Sequence, residues 1–140
     1  MCSTSAGAPT KRRAGTNVTS DKRLIKKDAL GKDPSPTPGM TRAHAIEIPG
    51  LTSGTVSVGP GVMSGWHHHG THETSIHVLR GSLKMEFPDG AIEAKEGDFI
   101  HVPAGAVHRE SNPGSEPNLA VFSRAGSGTV TVNVEAPPKG

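Results

Sequence analysis

The sequence predicts an all-β domain, either a closed barrel or a two-sheet sandwich. Three observations carry this. The 140 residues include 18 Gly and 12 Pro, a density that cuts the chain into many short segments. Those segments alternate apolar and polar residues with period two, as half-buried strands do. Strong turn signals separate them, above all Pro88-Asp89-Gly90. The length suits one domain with a modest core, and no helical pattern exceeds a turn or two.

Taken in order, residues 1–19 are small and polar and predict a flexible leader. Residues 22–30 predict a short strand or a helical turn. Asp33-Pro-Ser-Pro-Thr-Pro-Gly39 is extended or turned, because three prolines can neither donate backbone hydrogen bonds nor continue a helix. Strands are predicted at residues 43–48, 55–58, 76–79, 82–87, 91–94, 99–102, 119–123 and 129–134. Residues 82–87 and 91–94 form a hairpin across Pro88-Asp89-Gly90, and Lys95-Glu96-Gly97-Asp98 turns again. The division is therefore a flexible basic leader at 1–35, a barrel domain at 36–136 and a tail at 137–140.

Charge follows this division. Residues 1–33 hold eight Lys or Arg and three Asp, a net +5, whereas residues 34–140 carry a net −3. With no aromatics interleaved, the basic leader reads as a solvated tail rather than a nucleic-acid-binding arm. No apolar run approaches a membrane span, and the N-terminus lacks the apolar core of a secretory signal. Asp21 and the absence of an amphipathic pattern weigh against organelle targeting. The single Cys, Cys2, forms no internal disulfide, which fits a reducing compartment. The expected location is cytoplasmic.

The chemistry is concentrated in histidines. Five of the eight lie within residues 67–77 (His67, His68, His69, His72, His77), and His108 follows some forty residues later. Residues at i and i+2 of a strand share a face, so His67 and His69 point together while His68 points away. Burying several imidazoles costs free energy unless each finds a partner, and a metal ion is one. A helical His-Glu-x-x-His site is excluded, because His72-Glu73 is followed by Thr74, Ser75 and Ile76, with His77 one residue too late.

Two spaced motifs run through these residues. Gly61 is followed after five residues by His67-His68-His69, and after three more by Glu73. Gly97, Pro103, Gly105, His108 and Asn112 follow the pattern Gly, five residues, Pro-x-Gly, two residues, His, three residues, Asn. In both the chain resembles the cupins, whose first motif reads Gly, five residues, His-x-His, three or four residues, Glu, six residues, Gly. The resemblance covers residues 36–136. It implies a conical β-barrel (a double-stranded β-helix, jelly-roll-like) with a divalent transition metal inside. Carried over by position, the metal ligands are His67, His69, Glu73 and His108. Seven residues, not six, separate Glu73 from Gly81, so counting back from Gly81 places Thr74 in the fourth slot, and His72 also competes for it.

Such an N₃O set suits Mn, Fe, Co, Ni, Cu or Zn and leaves positions open for a small molecule. The resemblance implies a metal-dependent enzyme of dioxygenase or isomerase type acting on a small organic substrate. The alternative is a non-catalytic cupin that binds or senses a small ligand. His101 is the candidate acid or base, with His77 and Trp66 as further candidates to line the pocket. Arg109 and Glu110 are expected at the rim. Gly61, Gly81, Gly97 and Gly105 are expected at positive φ, and Asn112 is expected to bond backbone in its loop. Cupins commonly pair through outer strands, so a homodimer is expected, with residues 129–134 as an exchanged or edge strand.

Overall fold

Period-two alternation builds the walls of the molecule. The computed structural model describes residues 23–33, 37–127 and 131–135. Cys2, most of the basic leader and the tail lie outside the described residues. The strands are β1 (Gly31–Asp33), β2 (Met40–Ile48), β3 (Leu51–Val58), β4 (His67–His68), β5 (Glu73–Arg80), β6 (Leu83–Phe87), β7 (Gly90–Ala94), β8 (Phe99–Val102), β9 (Arg109–Ser111), β10 (Leu119–Ala125) and β11 (Val132–Asn133). The short 3-10 turn Lys27–Ala29 is the only helix among the described residues. No helix among them is long and apolar enough to cross a membrane.

A six-stranded antiparallel sheet runs β1-β2-β3-β10-β5-β8, and it is faced by a three-stranded sheet β7-β6-β9 and the pair β11-β4. Single bridges, Met63 to Ser111 and His67 to His108, tie β4 and its approach to β9. The two faces share one core. Val56, Val58, Ile76, Val78, Ile100, Val102, Ala120 and Phe122 come from the large sheet, and Leu83, Met85 and Ala94 from the small one. Burying each of the larger of these side chains contributes about 1.5–3 kcal/mol. This is the all-β class that the sequence predicts, in the double-stranded β-helix form that the resemblance implies.

Two features of the wall are fixed by single residues. Gly54 sits where β2 bulges between His44 and Ile46. A Cβ at this position would lie 1.9 Å from the Ala43 carbonyl oxygen, so only glycine fits. Asn112 is buried, and its side chain satisfies three backbone groups: Nδ2 donates to the carbonyls of Val58 (2.8 Å) and Glu116 (2.7 Å), and Oδ1 accepts from Gly114 N–H (2.8 Å). Its expected role in the loop is thus met. The motif glycines Gly61, Gly81, Gly97 and Gly105 have φ of 76°, 79°, 91° and 76°, as expected.

The element boundaries differ from expectation in three places. Gly31–Asp33 pairs with β2, so the folded part begins within the stretch assigned to the leader. The residues after His108 form strand β9 instead of a rim. Val132–Asn133, within the strand expected to be exchanged or left at an edge, pairs with β4 of the same chain; residues 128–130 lie outside the described residues.

Candidate metal centre

The two histidine motifs meet because a single bridge joins β4 to His108, the residue before β9. His67 N–H donates to the His108 carbonyl (2.9 Å), and His108 N–H donates back to that of His67 (2.8 Å). Alternation then turns His67 and His69 inward, leaving them 7% and 5% exposed, while His68 is only half-buried. His108 is fully buried. The three rings converge, with centroids 4.4 Å apart for His67–His108 and 5.1 Å for each of the other pairs.

Backbone carbonyls set the tautomers. His67 Nδ1–H donates to the Gly65 carbonyl (2.8 Å), and His108 Nδ1–H donates to that of Ala106 (2.9 Å). A carbonyl only accepts, so in the neutral ring the proton sits on Nδ1 and the lone pair on Nε2. Metal-ligating histidines are held in this way by the groups behind them. His108 Nε2 is buried with no hydrogen-bond partner, so the protein itself leaves this lone pair unused.

The carboxylate beside these imidazoles belongs to Glu110. One donor atom each from His67, His69, His108 and Glu110 lie within 4.8 Å of one another, and all four residues are buried. Ligands on opposite sides of a first-row ion stand about 4.2 Å apart, so this donor set fits one transition metal. Glu110 Oε2 lies 3.7 Å from His67 Nε2 and 3.6 Å from His108 Nε2, which is ion-pair spacing rather than a hydrogen bond. Burial opposes ionisation of Glu110, but the two imidazoles outweigh it and hold the carboxyl well below the usual carboxylate range. Burial likewise pushes the His67 imidazole down. Glu110 and the Gly65 carbonyl outweigh that effect and the opposing charge of Arg42, so His67 is raised. Ser64 steadies the strand, its Oγ accepting from Glu110 N–H (2.9 Å).

Glu73 is not in this group. Along β5 and the residue before it, His72, Thr74, Ile76 and Val78 are the buried ones, which turns Glu73 out of the barrel. Its carboxylate accepts from His101 Nε2 (2.6 Å) and from Ala104 N–H (3.1 Å). The same rule removes His101 as an interior acid or base: Ile100 and Val102 are buried, and the His101 side chain is 68% exposed. Of the rivals for the fourth slot, Thr74 is buried and its Oγ1 accepts a 3.4 Å hydrogen bond from Arg124. His72 is also buried, with Nδ1–H donating to the His69 carbonyl (2.9 Å). Neither joins the cluster. His77 stacks on Phe99 (centroids 4.1 Å apart). Trp66 lies under Arg109 (4.7 Å), whose guanidinium is paired with Glu86 (2.6 Å). Glu110 was expected at the rim, yet the i, i+2 rule that joined His67 to His69 also joins His108 to Glu110.

A cavity of about 180 Å³ opens beside His67, walled by β2, the approach to β4, and β11. Arg42, Ser64 and Asn133 line it together with His67.

Comparison with known proteins bears on the family and the fold. Residues 54–123 match the family model described as "Cupin domain". Germin-like protein 5-1 of Oryza sativa subsp. japonica is 36% identical over 87 residues, which cover 54% of this chain; the chain spans 38% of that protein's length. Among solved structures, the polyketide cyclase RemF from Streptomyces resistomycificus superposes with a TM-score of 0.70 at 18% identity, covering 81% of this chain and 86% of that one. A double-stranded β-helix protein from Klebsiella pneumoniae gives 0.68 at 22% identity, covering 82% and 99%. At these identities the structural likenesses establish the fold. The family match spans half of the chain, from β3 through most of β10, and takes in both histidine motifs: the chain belongs to the cupin family.

Proposed function

We propose that this cupin holds one divalent transition metal on His67, His69, His108 and Glu110, and that it is a metal-dependent enzyme of dioxygenase or isomerase type acting on a small organic molecule in the adjoining cavity. The observation that carries the reading is the pair of imidazoles whose Nδ1–H groups are spent on backbone carbonyls, so that Nε2 lone pairs meet beside a buried carboxylate. The N₃O set suits Mn, Fe, Co, Ni, Cu or Zn. When bound, such an ion supplies Lewis acidity or a centre for oxygen chemistry.

The chain's own residues do the rest. The Gly65 and Ala106 carbonyls fix ring orientation, and Glu110 balances the charge of the centre. Val102, Leu83, Met85 and Phe122 keep the interior dry around the polar end. RemF, a polyketide cyclase by name, is a structural relative and supports an enzymatic reading over a purely binding one. Pairing as a homodimer belongs to the same proposal. It is supported by the exposed Phe99 on β8, the edge strand of the large sheet, and light scattering tests it.

The central experiment is elemental analysis of the purified protein together with a His69→Ala variant. The expected outcome is about one transition metal per chain in the wild type and loss of it in the variant. A metal-free wild type sinks the reading. A metal-loaded protein that consumes no oxygen and turns over no small acid, diketone or sugar leaves the binding or sensing module as the function.

A further inference from the structure

We infer that Ser64 is the positioning residue of the centre: its one hydroxyl holds both Glu110 and the carbonyl that orients His67. This deepens the reading above and rests on it for the metal. Ser64 lies on the approach to β4, outside any strand, and is 7% exposed. Its Oγ accepts from Glu110 N–H (2.9 Å) and donates to the Gly65 carbonyl (3.0 Å). Its own N–H donates to the Glu110 carbonyl (2.8 Å). Ser64 thus bonds both backbone groups of the one residue that brings a carboxylate to the three imidazoles.

The Gly65 carbonyl needs such an anchor. It also accepts from His67 Nδ1–H (2.8 Å), so it orients an inward imidazole. Yet Gly65 itself is exposed, and a Cβ built on it would meet no atom within 4 Å. Packing therefore does not hold this peptide, and a glycine has more backbone freedom than any other residue. Hydrogen bonds hold it instead. Ser64 Oγ–H and His67 Nδ1–H together fill the two lone pairs of the Gly65 oxygen. Without the hydroxyl, the imidazole alone would have to hold the carbonyl that orients it. The run from Glu110 N–H through Ser64 Oγ–H to the Gly65 carbonyl is continuous, so each bond polarises the next. One side chain in this way fixes two of the four donors, Glu110 and His67, relative to each other.

The test combines Zn(II) affinity by competition with a chelator, the visible spectrum of the Co(II)-loaded protein, and the ring-nitrogen NMR shifts of His67 in metal-free protein at a pH where the ring is neutral. Ser64→Ala is expected to weaken Zn(II) binding on the order of tenfold to a hundredfold, the range for a group behind a ligand, and to shift the Co(II) bands. The metal-free His67 ring is expected as the Nδ1–H tautomer in the wild type and as a mixture in Ser64→Ala. Ser64→Thr keeps the hydroxyl and should stay near wild type. Adding Gly65→Ala to Ser64→Ala should recover part of the affinity, because Gly65 has no positive φ for alanine to strain and a Cβ narrows the freedom of the peptide. A serine that only packs would not be rescued at its neighbour. Should Ser64→Ala fail to fold, Ser64→Cys takes its place, since it weakens both hydrogen bonds at nearly the same size. Zn(II) bound as tightly by Ser64→Ala as by wild type overturns the proposal, as does a loss that neither Ser64→Thr nor the Gly65 change relieves. A wild type that takes up no Zn(II), but whose single His67 tautomer is lost in Ser64→Ala, overturns the metal reading and leaves the positioning role standing.

Discussion

Among the described residues the barrel wall carries histidine beside glutamate in three places, and two of them, one facing inward and one outward, differ in every physical respect. Inside, Glu110 lies 3.6–3.7 Å from the Nε2 atoms of His108 and His67, and all three side chains are nearly sealed from water. Outside, Glu73 and His101 are hydrogen-bonded at 2.6 Å with both side chains more than half exposed. The exposed pair is already satisfied and gains little by being so, because water screens it and would solvate each partner alone. The buried group stays unsatisfied at the nitrogen that matters, His108 Nε2. An orphaned lone pair in a dry site is what a cation can complete, and a finished hydrogen bond is not. Residue type is the same in both places. Strand parity decides which pairing is a candidate ligand set.

The largest expected effect breaks the comparison at its carboxylates. Glu110→Gln removes the one anionic donor among three imidazoles and should weaken metal binding by at least on the order of 100-fold, the upper end for disturbing a group behind a ligand. Glu73→Gln should leave metal content at the wild-type level. Parallel elemental analysis of the two variants decides the matter. If Glu73→Gln loses the metal and Glu110→Gln keeps it, the inward and outward assignments are reversed.

Proton competition sharpens the same contrast. In the metal-free protein His67 is raised above its ordinary value, chiefly because Glu110 outweighs burial, and a ligand must shed that proton before it binds. Metal affinity should therefore rise with pH by about tenfold per unit while one proton is displaced, then level off above the raised pKa of His67. Calorimetric titration with Zn(II) across pH 5.5–8, a range of roughly that width about the ordinary histidine pKa, checks this. Affinity that is flat across the range would show that His67 does not contribute.

How much of this was legible beforehand turns on the same parity rule. The all-β class, the hairpin across Pro88-Asp89-Gly90 and the inward pair His67 and His69 follow from period-two alternation and turn chemistry, His108 joins them through the cupin resemblance, and the structure has all of them. Motif spacing selects Glu73 beside the three imidazoles, whereas the structure puts Glu110 there, because the buried residues Thr74, Ile76 and Val78 fix β5 with Glu73 facing out. Applied to His108, the rule reaches Glu110 directly. Nothing local marks residues 109–111 as a strand, since their strand character comes from pairing with β6, a contact distant in sequence. The pocket was beyond reach for the same reason, since Arg42, His67 and Asn133 come from strands distant in sequence and from two different sheets.

A change in the scaffold should separate stability from site chemistry. Asn112→Ala strips three hydrogen bonds from buried or half-buried backbone near Val58 and the loop to Glu116. Leaving those groups unpaired should cost about 3 kcal/mol and lower the melting temperature by roughly 10 °C. Metal stoichiometry of the folded protein should stay at one, because Asn112 touches none of the four donors. A thermal melt paired with elemental analysis reads both quantities, and a loss of metal without loss of stability would place Asn112 in the centre itself.

The smallest effect is expected at the outer pair. Glu73 is held below its ordinary pKa first by the hydrogen bond from His101 and then by Ala104 N–H. A carboxylate with a depressed folded-state pKa adds stability above its unfolded pKa and loses it as pH falls through the folded value. At neutral pH that contribution is present in full, but it is spread over two exposed side chains that water serves almost as well. His101→Ala should therefore leave the melting temperature at pH 7 within error of wild type, and Glu73→Gln should differ from wild type most near neutrality and least in acid, where the wild-type carboxylate is itself protonated. Melts of both variants at pH 3 and pH 7, values on either side of roughly pH 4 where a free carboxylate titrates, test this. A large drop at pH 7 for His101→Ala, or its loss of metal, would mean that the outward pair supports the interior after all, and the contrast between the two faces would have to be given up.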